Sequence, residues 1–431
     1  MVKPVRSWIE KLFLVQSRFE SGESELITQI NPNTAVGDAF GRIRTSAPTT
    51  LFDSQLEYDK QPVLWDEKTV GSATSTHLQN ESSVEMAVTT ASGDSVIRQT
   101  REYIRYQPGK SQLILCSFVL GPAQDGTTKL VGYGDGKNGI FIGADGGGVF
   151  ALIRSSNSGS VDDSRKVYRS DWNLNTFPLG TESGDDLDFS KTQILVIDFE
   201  WLGVGRVRMG LNIDGVTYYF HEFLNANKLD KVYITTANLP VRYEITNTKD
   251  VASNSSMKQI STSVVSEGGL ESTITYPFSS EILDVPIGNG VENETVVFAI
   301  RQSLLFKGIE NRTRFRPARY EILAEGGNII SKVVYNPTLI GGTWFQIDGE
   351  YSSLEGNSTA TSYTGGINVV TTLAPGGSAK QGNPVFDDTI TARLPFGLGI
   401  DGDDPIALAL VAYSNVNNVT ASFTFQWDEV R

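Results

Sequence analysis

The stretch TQILVIDFEWLG (residues 192–203), followed closely by RVRMGLNIDGVTYYFHEF (residues 206–223), decides the fold of this chain. Leu195, Ile197 and Phe199 alternate with Val196, Asp198 and Glu200, the period of two that a strand imposes. Asp214-Gly215 between Ile213 and Val216 is a two-residue hairpin signal. Working outward, similar runs recur: SVIRQTREYIRY (95–106), QLILCSFVL (112–120), KLVGYG (129–134), GIFIGAD (139–145) and GVFALIRSS (148–156) precede it, and KVYITT (231–236) and PVRYEIT (240–246) follow. Gly, Asp and Asn turns separate the runs at roughly ten-residue spacing, which is the pattern of an antiparallel sandwich. Helix-length apolar patterns are missing between them, which argues against βαβ units.

A second β series starts near Val285 and includes TVVFAIRQSLLF, TRFRPARYEILA, GGINVVTTLA, PIALALVAYS and VTASFTFQWDEV. The expected class is therefore all-β, with two tandem antiparallel β-sandwich (jelly-roll-like) domains over 96–250 and 281–431, joined by a Ser- and Thr-containing linker over 251–280. Residues 1–95 are expected to hold a helix and an extended arm. Val5, Trp8, Ile9, Leu12, Phe13 and Phe19 recur at helical spacing over residues 5–19, with Arg6, Glu10, Lys11 and Arg18 opposite. Such a helix is marginal alone, so Trp8, Ile9, Leu12 and Phe13 are read as an assembly contact. The arm is polar, with isolated anchors at Phe40, Leu51, Phe52, Tyr58 and Trp65.

The 431 residues allow two or three domains. With 36 basic and 50 acidic residues, the net charge of −14 counts against a protein that neutralises phosphate backbones, so nucleic acid is not an expected partner. One cysteine, Cys116, excludes an internal disulfide framework and a cysteine-ligated zinc cluster. No apolar run approaches a membrane span, and Glu10 and Lys11 interrupt the N-terminal apolar segment. No membrane partner is expected.

Few constellations carry chemistry. Gln107-Pro-Gly-Lys-Ser111 ends like a phosphate loop, but Ile104 stands where its first Gly belongs. A Pro-Gly turn with a solvated Lys110 is the reading that the flanking strands favour. His77 and His221 are the only histidines, which leaves little for a nucleophilic triad. Cys116, inside LILCSF, reads as a small buried hydrophobe. Asp185-Asp186-Leu-Asp188 and Asp401-Gly-Asp403-Asp404 read as solvated turn acids rather than calcium ligands. Arg312, Arg314 and Arg316 alternate on one face and suggest a salt-bridge row. The sequons at Asn80, Asn254, Asn293, Asn311, Asn357 and Asn418 carry little information in an Asn- and Ser/Thr-rich chain. Trp172, Trp201, Tyr218 and Tyr219 are either a sugar-stacking platform or core anchors.

Alternation puts Asp198 and Glu200 on one strand face, and paired carboxylates roughly 5 to 5.5 Å apart serve retaining glycosidases. The run resembles the E-x-D-x-E strand of laminarinase-type glycoside hydrolases, which are concanavalin-like sandwiches. That resemblance makes Glu200 the acid/base and Asp198 the assisting group, but Val196 occupies the nucleophile position. Pairing of these acids with Arg206 or Arg208 on the next strand is the competing assignment. The residue series over 96–250 also looks like a lectin-type jelly roll, concanavalin-like or laminin-G-like.

Three phrases, REYIRYQPGKS (101–111), EWLGVGRVRMG (200–210) and TTANLPVRYEI (235–245), resemble uncharacterised virion structural proteins of large tailed bacteriophages and large DNA viruses. The resemblance is strongest over residues 40–250 and transfers no catalytic residues. It implies a non-enzymatic component of a virus particle, located in the virion as capsid decoration, collar, tail or fibre. A carbohydrate-binding adhesin and a glycan hydrolase are the alternatives, with Trp172, Asp198, Glu200, Trp201, Tyr218 and Tyr219 as the candidate glycan or partner platform. The expected partners are further copies of the chain, a trimer first, then other virion proteins and a host surface glycan. Catalytic residues, metal and cofactor are expected to be none.

Overall fold

The computed structural model describes residues 13–20, 23–30, 48–177, 187–269, 275–376, 380–382 and 394–431. The chain forms two compact units, Met1–Thr100 with Ile104–Glu271 and Arg101–Tyr103 with Ser272–Arg431. Among the described residues there are strands and three single-turn 3-10 segments, and no α-helix.

The first unit contains, in chain order, β1 (Phe13–Glu20), β2 (Glu23–Ile30), β3 (Thr49–Gln55), β4 (Trp65–Val70), β5 (Thr74–Leu78), β6 (Ser83–Val88), β7 (Ser95–Thr100), β8 (Ser111–Val119) and β9 (Thr127–Gly134). It continues with β10 (Gly139–Asp145), β11 (Gly148–Ser155), β12 (Asp162–Tyr168), β13 (Gln193–Phe199), β14 (Val207–Ile213), β15 (Val216–Phe223), β16 (Val241–Asn247) and β17 (Ser255–Glu267). A seven-stranded sheet runs β12-β11-β10-β9-β16-β7-β4, and an eight-stranded sheet has the path β15-β14-β13-β8-β17-β6-β5, with β3 on β17. The sheets meet in one core. Trp65 of β4 lies edge-on to Phe52 of β3, ring centroids 5.9 Å apart, and Tyr133 of β9 lies 5.5 Å from Phe199 of β13.

Four expectations differ from this arrangement. Phe13 opens a strand instead of continuing a helix: β1 pairs antiparallel with β2 from Phe13↔Ile30 to Glu20↔Glu23. Short apolar runs fit both periods, and ESELITQI supplies the pairing partner that the helical reading left out. Trp8, Ile9 and Leu12 lie outside the described residues. From Thr49 on, the expected arm supplies strands to both sheets. Its apolar residues are few but large or alternating, as in Val84, Met86 and Val88, all buried in the core.

The stretch expected as a linker holds β17, a thirteen-residue strand between β8 and β6. Its inward positions include the polar Gln259 and Thr262, while Ile260 and Val265 are only partly covered. Arg98 Nε donates to Gln259 Oε1 at 2.6 Å, and the Tyr243 and Thr262 hydroxyls lie 3.0 Å apart. Those bonds let a polar strand sit at the centre of a sheet. Residues 231–236, expected as a strand, are irregular, with Tyr233 and Ile234 consecutively buried.

The second unit is also built on two sheets. In one, strands Tyr276–Ser279 and Leu283–Ile287 flank Val419–Val430, which pairs with Arg314–Glu325. The other orders Phe345–Gln346, Leu354–Asn357, Thr295–Gln302, Ala407–Ser414, Ile329–Tyr335 and Ile367–Ala374. Phe298 of the second sheet packs 6.4 Å from Phe425 and 6.5 Å from Trp427 of the first.

Candidate functional site

The acidic strand is the natural place to look for chemistry. Leu195, Ile197 and Phe199 of β13 enter the core, so Val196 and Asp198 project from the opposite face of the sheet. Asp198 is nevertheless 0% exposed, as is Arg208. Register places Arg208 of β14 directly beside Asp198, and the guanidinium Nη2 pairs with Asp198 Oδ2. Ser111 Oγ donates to Asp198 Oδ1 at 2.7 Å, and the Tyr219 hydroxyl donates to Oδ2 at 3.2 Å. The Arg208 guanidinium also lies 4.4 Å from the Tyr219 ring centroid. One opposite charge and two hydroxyl donors thus surround the carboxylate, which is enclosed and charge-compensated.

Glu200 is half-buried at the start of the following turn. Its Oε1 accepts the Arg206 backbone N–H at 3.1 Å, and its carbonyl accepts the Tyr233 hydroxyl at 2.8 Å. Arg206 lies 3.6 Å from Glu222 of β15. Val196, where a retaining glycosidase would need its nucleophile, is buried beside Gly210 in the strand register. Asp198 therefore belongs to a buried ion pair between β13 and β14, whereas Glu200, just beyond β13, holds the turn that leads into β14.

A β-bulge sorts the aromatic candidates. The register of β14 with β15 shifts between Met209↔His221 and Gly210↔Tyr219, which leaves Phe220 as the extra residue. Such a bulge re-aims side chains. Tyr219 lies over Arg208 while Phe220 enters the core and stacks on Trp172 at 4.0 Å. Trp172 Nε1 donates to Val167 O at 3.2 Å, and Trp201 Nε1 to Ile234 O at 3.1 Å. Tyr218 packs partly buried against the core. Trp172, Trp201 and Tyr218 thus act as core and wall residues, and Tyr219 belongs to the Asp198 cluster.

The remaining sequence candidates have structural placements. Gly109 has φ +87°, and Lys110 N–H donates to Gln107 O at 3.1 Å, which closes a turn. Lys110 Nζ donates to Gly269 O at 3.0 Å. Cys116 is buried, and burial pushes its thiol up to about 12. His77 Nε2 lies 2.8 Å from Leu56 O. His221 Nδ1 accepts Asn173 N–H at 3.3 Å, and burial, aided by Arg165, pulls its imidazole down to about 4. Asp188 caps its own turn by accepting Ser190 N–H at 2.8 Å, whereas Asp185 and Asp186 lie outside the described residues. Among the described residues no three His, Cys, Asp or Glu side chains converge as a metal site.

Arg314 pairs with Glu102 at 2.6 Å, and Arg312 lies 3.8 Å from Glu310. Asn311 and Asn357 are buried, so neither sequon presents an accessible amide.

Two features escaped the sequence reading. One is an open groove of about 310 Å³ in the first unit, lined by Ser72, Thr74, Glu85, Thr89, Asn254 and Ser256 among others. Hydroxyls, a carboxylate and an amide from β5, β6, β17 and the turns beside them meet there, and no motif joins them in sequence. The other is a set of exposed apolar residues in the second unit, among them Ile282, Leu305, Ile309, Tyr351 and Leu373. Their runs read as ordinary strand and turn residues.

No family model matches the chain, and no curated protein matches it in sequence. Solved structures do resemble it. The legume lectin-like domain from Entamoeba histolytica is 12% identical over 50% of this chain and 97% of that one, with a TM-score of 0.29. The CBM2 module of the Lactobacillus casei BL23 phage J-1 evolved Dit is 8% identical over 51% and 96%, with a TM-score of 0.33. A glycosyl hydrolase family protein from Mycobacterium fortuitum is 10% identical over 50% and 99%, with a TM-score of 0.34. Likenesses of this strength assign no activity to the chain.

Proposed function

We propose that this protein is a non-enzymatic structural component of a virus particle, acting through contacts with further copies of itself and with other virion proteins. The observation that carries the non-enzymatic part is the Asp198–Arg208 pair, fully buried and hydrogen-bonded by Ser111 and Tyr219. The strand with the most enzyme-like residues uses its acid to join three strands of its own sheet, and Val196 fills the place of a nucleophile. The virion part is supported by the sequence phrases at 101–111, 200–210 and 235–245. The exposed Leu305 and Ile309, on the paired strands Leu305–Phe306 and Ile309–Glu310 of the second unit, suit an assembly role. Incubation of wild type and Glu200→Gln with β-glucans tests the reading: no reducing-sugar release from either is expected. Glu200-dependent release by the wild type would overturn it.

The polar groove between Thr74, Glu85 and Asn254 favours a second reading, that of a carbohydrate-binding adhesin. A neutral polyol is the ligand class that hydroxyl and amide groups would recognise. Binding on a glycan array that is abolished by Glu85→Ala and Asn254→Ala would establish this reading, and an array without signal would remove it.

A further inference from the structure

Buried polar side chains find a hydrogen-bond partner, either in the chain or in ordered water. Gln112 of β8 departs from this. It is 2% exposed, and among the described residues neither Nε2 nor Oε1 of its carboxamide has a partner. Other buried glutamines keep at least one bond: Gln99 to Arg242, Gln259 to Arg98 and Gln302 to Thr313.

Alternation along β8 turns Gln112 to the buried face with Ile114 and Cys116. Its neighbours across the sheet are Phe199 of β13 and Ser266 of β17. Phe199 has no polar side-chain atom, and Ser266 Oγ donates elsewhere, to Gly269 O at 3.2 Å. A cavity of about 10 Å³ lies against Gln112, lined also by Arg105, Tyr106, Lys110 and Ser266 among others. That is the space of one water molecule.

We propose that this cavity is a binding site for a single water, held by the Gln112 carboxamide and the Ser266 hydroxyl. Chemistry selects the occupant. Water accepts from Nε2 or donates to Oε1, so it serves the carboxamide in either orientation, whereas an ion serves only one of the two atoms. Arg105 and Lys110 in the lining repel a metal cation, and a halide is larger than the space. The Ser266 proton is committed to Gly269 O, which leaves the hydroxyl oxygen to accept a proton from the water. Donors and acceptors then alternate from Gln112 through the water to Ser266 and Gly269. Lys110 Nζ donates to the same Gly269 carbonyl at 3.0 Å, so the water joins the start of β8 to the segment after β17.

The effect falls on the strand that carries Ser111. That neighbour points to the opposite face of the sheet and donates to Asp198. The water on the inner side and the carboxylate on the outer side thus fix the start of β8 from both faces. The site goes beyond the virion and adhesin readings and depends on neither.

Crystallography of the full chain tests the site, with the wild type and Gln112→Met, a variant of similar volume that lacks the amide. In the wild type one solvent peak is expected within about 3.2 Å of both the carboxamide and Ser266 Oγ. It should vanish in Gln112→Met. A bromide soak identifies the occupant, because bromide scatters anomalously and water does not. A wild-type cavity without a peak, an anomalous bromide signal in its place, or a peak that persists unmoved in Gln112→Met overturns the proposal. If the variant fails to fold, the wild-type map and the bromide soak decide by themselves.

Discussion

Asp198 and Arg208 form a fully buried ion pair on the strand whose residues most resemble those of a glycosidase strand. Both side chains are fully buried, so each depends on the other for its charge. Removing one partner from a buried pair costs about 3–5 kcal/mol, whereas replacing both with apolar groups costs far less. Arg208→Met should therefore lower the unfolding free energy by about that amount, and adding Asp198→Leu should restore most of it. Denaturant titration of the four proteins of the cycle checks this, and equal losses for single and double variants would contradict it. The competing assignment of these acids to Arg206 or Arg208 was legible in the sequence, because Asp198 and Arg208 flank one turn. The contributions of Ser111 and Tyr219 were not: one comes from a distant strand, and the other depends on a bulge that alternation cannot reveal.

His221 is the second residue with a measurable signature. Burial holds its folded-state value at about 4, whereas an unfolded histidine titrates near 6.5. Between those values the unfolded chain binds more protons, so stability falls as pH drops from about 6.5 towards 4. The full contribution is roughly 3 kcal/mol. Melting curves of wild type and His221→Gln at pH 7 and pH 4.5 should show a smaller acid-induced drop for the variant. Equal drops would mean that the imidazole titrates normally.

At the scale of elements, β4 and β17 decide the architecture of the first unit. Trp65 of β4 donates from Nε1 to Ser54 Oγ at 2.8 Å and meets both Phe52 and Tyr243 at 5.9 Å. If residues 49–88 are integral strands, Trp65→Ala should destabilise the first unit by about 3–5 kcal/mol. Chemical unfolding followed by near-ultraviolet circular dichroism reads this directly, and a loss below 1 kcal/mol would fit a peripheral arm instead. Most strands over 111–223 were legible because their inward residues are mostly apolar, whereas the charged β12 was not read from the sequence. β17 was hidden because buried Gln259 and Thr262 find their partners on Arg98 and Tyr243, more than a hundred and fifty residues away for one and about twenty for the other. Gly210 completes the local logic: a Cβ there would lie 3.1 Å from the Tyr219 ring and 3.0 Å from Tyr218 O. Its absence lets Tyr219 settle over Arg208.

At the scale of the whole molecule, two all-β units share one chain, and the chemistry-bearing residues of the first are committed to its own sheets. Among the described residues, the polar groove of the first unit and the exposed apolar residues of the second are left for interaction. The acidic balance favours contacts of specific shape over indiscriminate association. The sequence pattern located the two β series but could not orient Trp172 or Tyr219. The measurement that reaches the proposed virion role most directly is quantitative mass spectrometry of purified particles of the virus that this proposal implies, combined with labelling of this chain by electron microscopy. The account predicts a fixed copy number per particle, at symmetry-related positions, that survives salt washing. Absence of the chain from washed particles would contradict it.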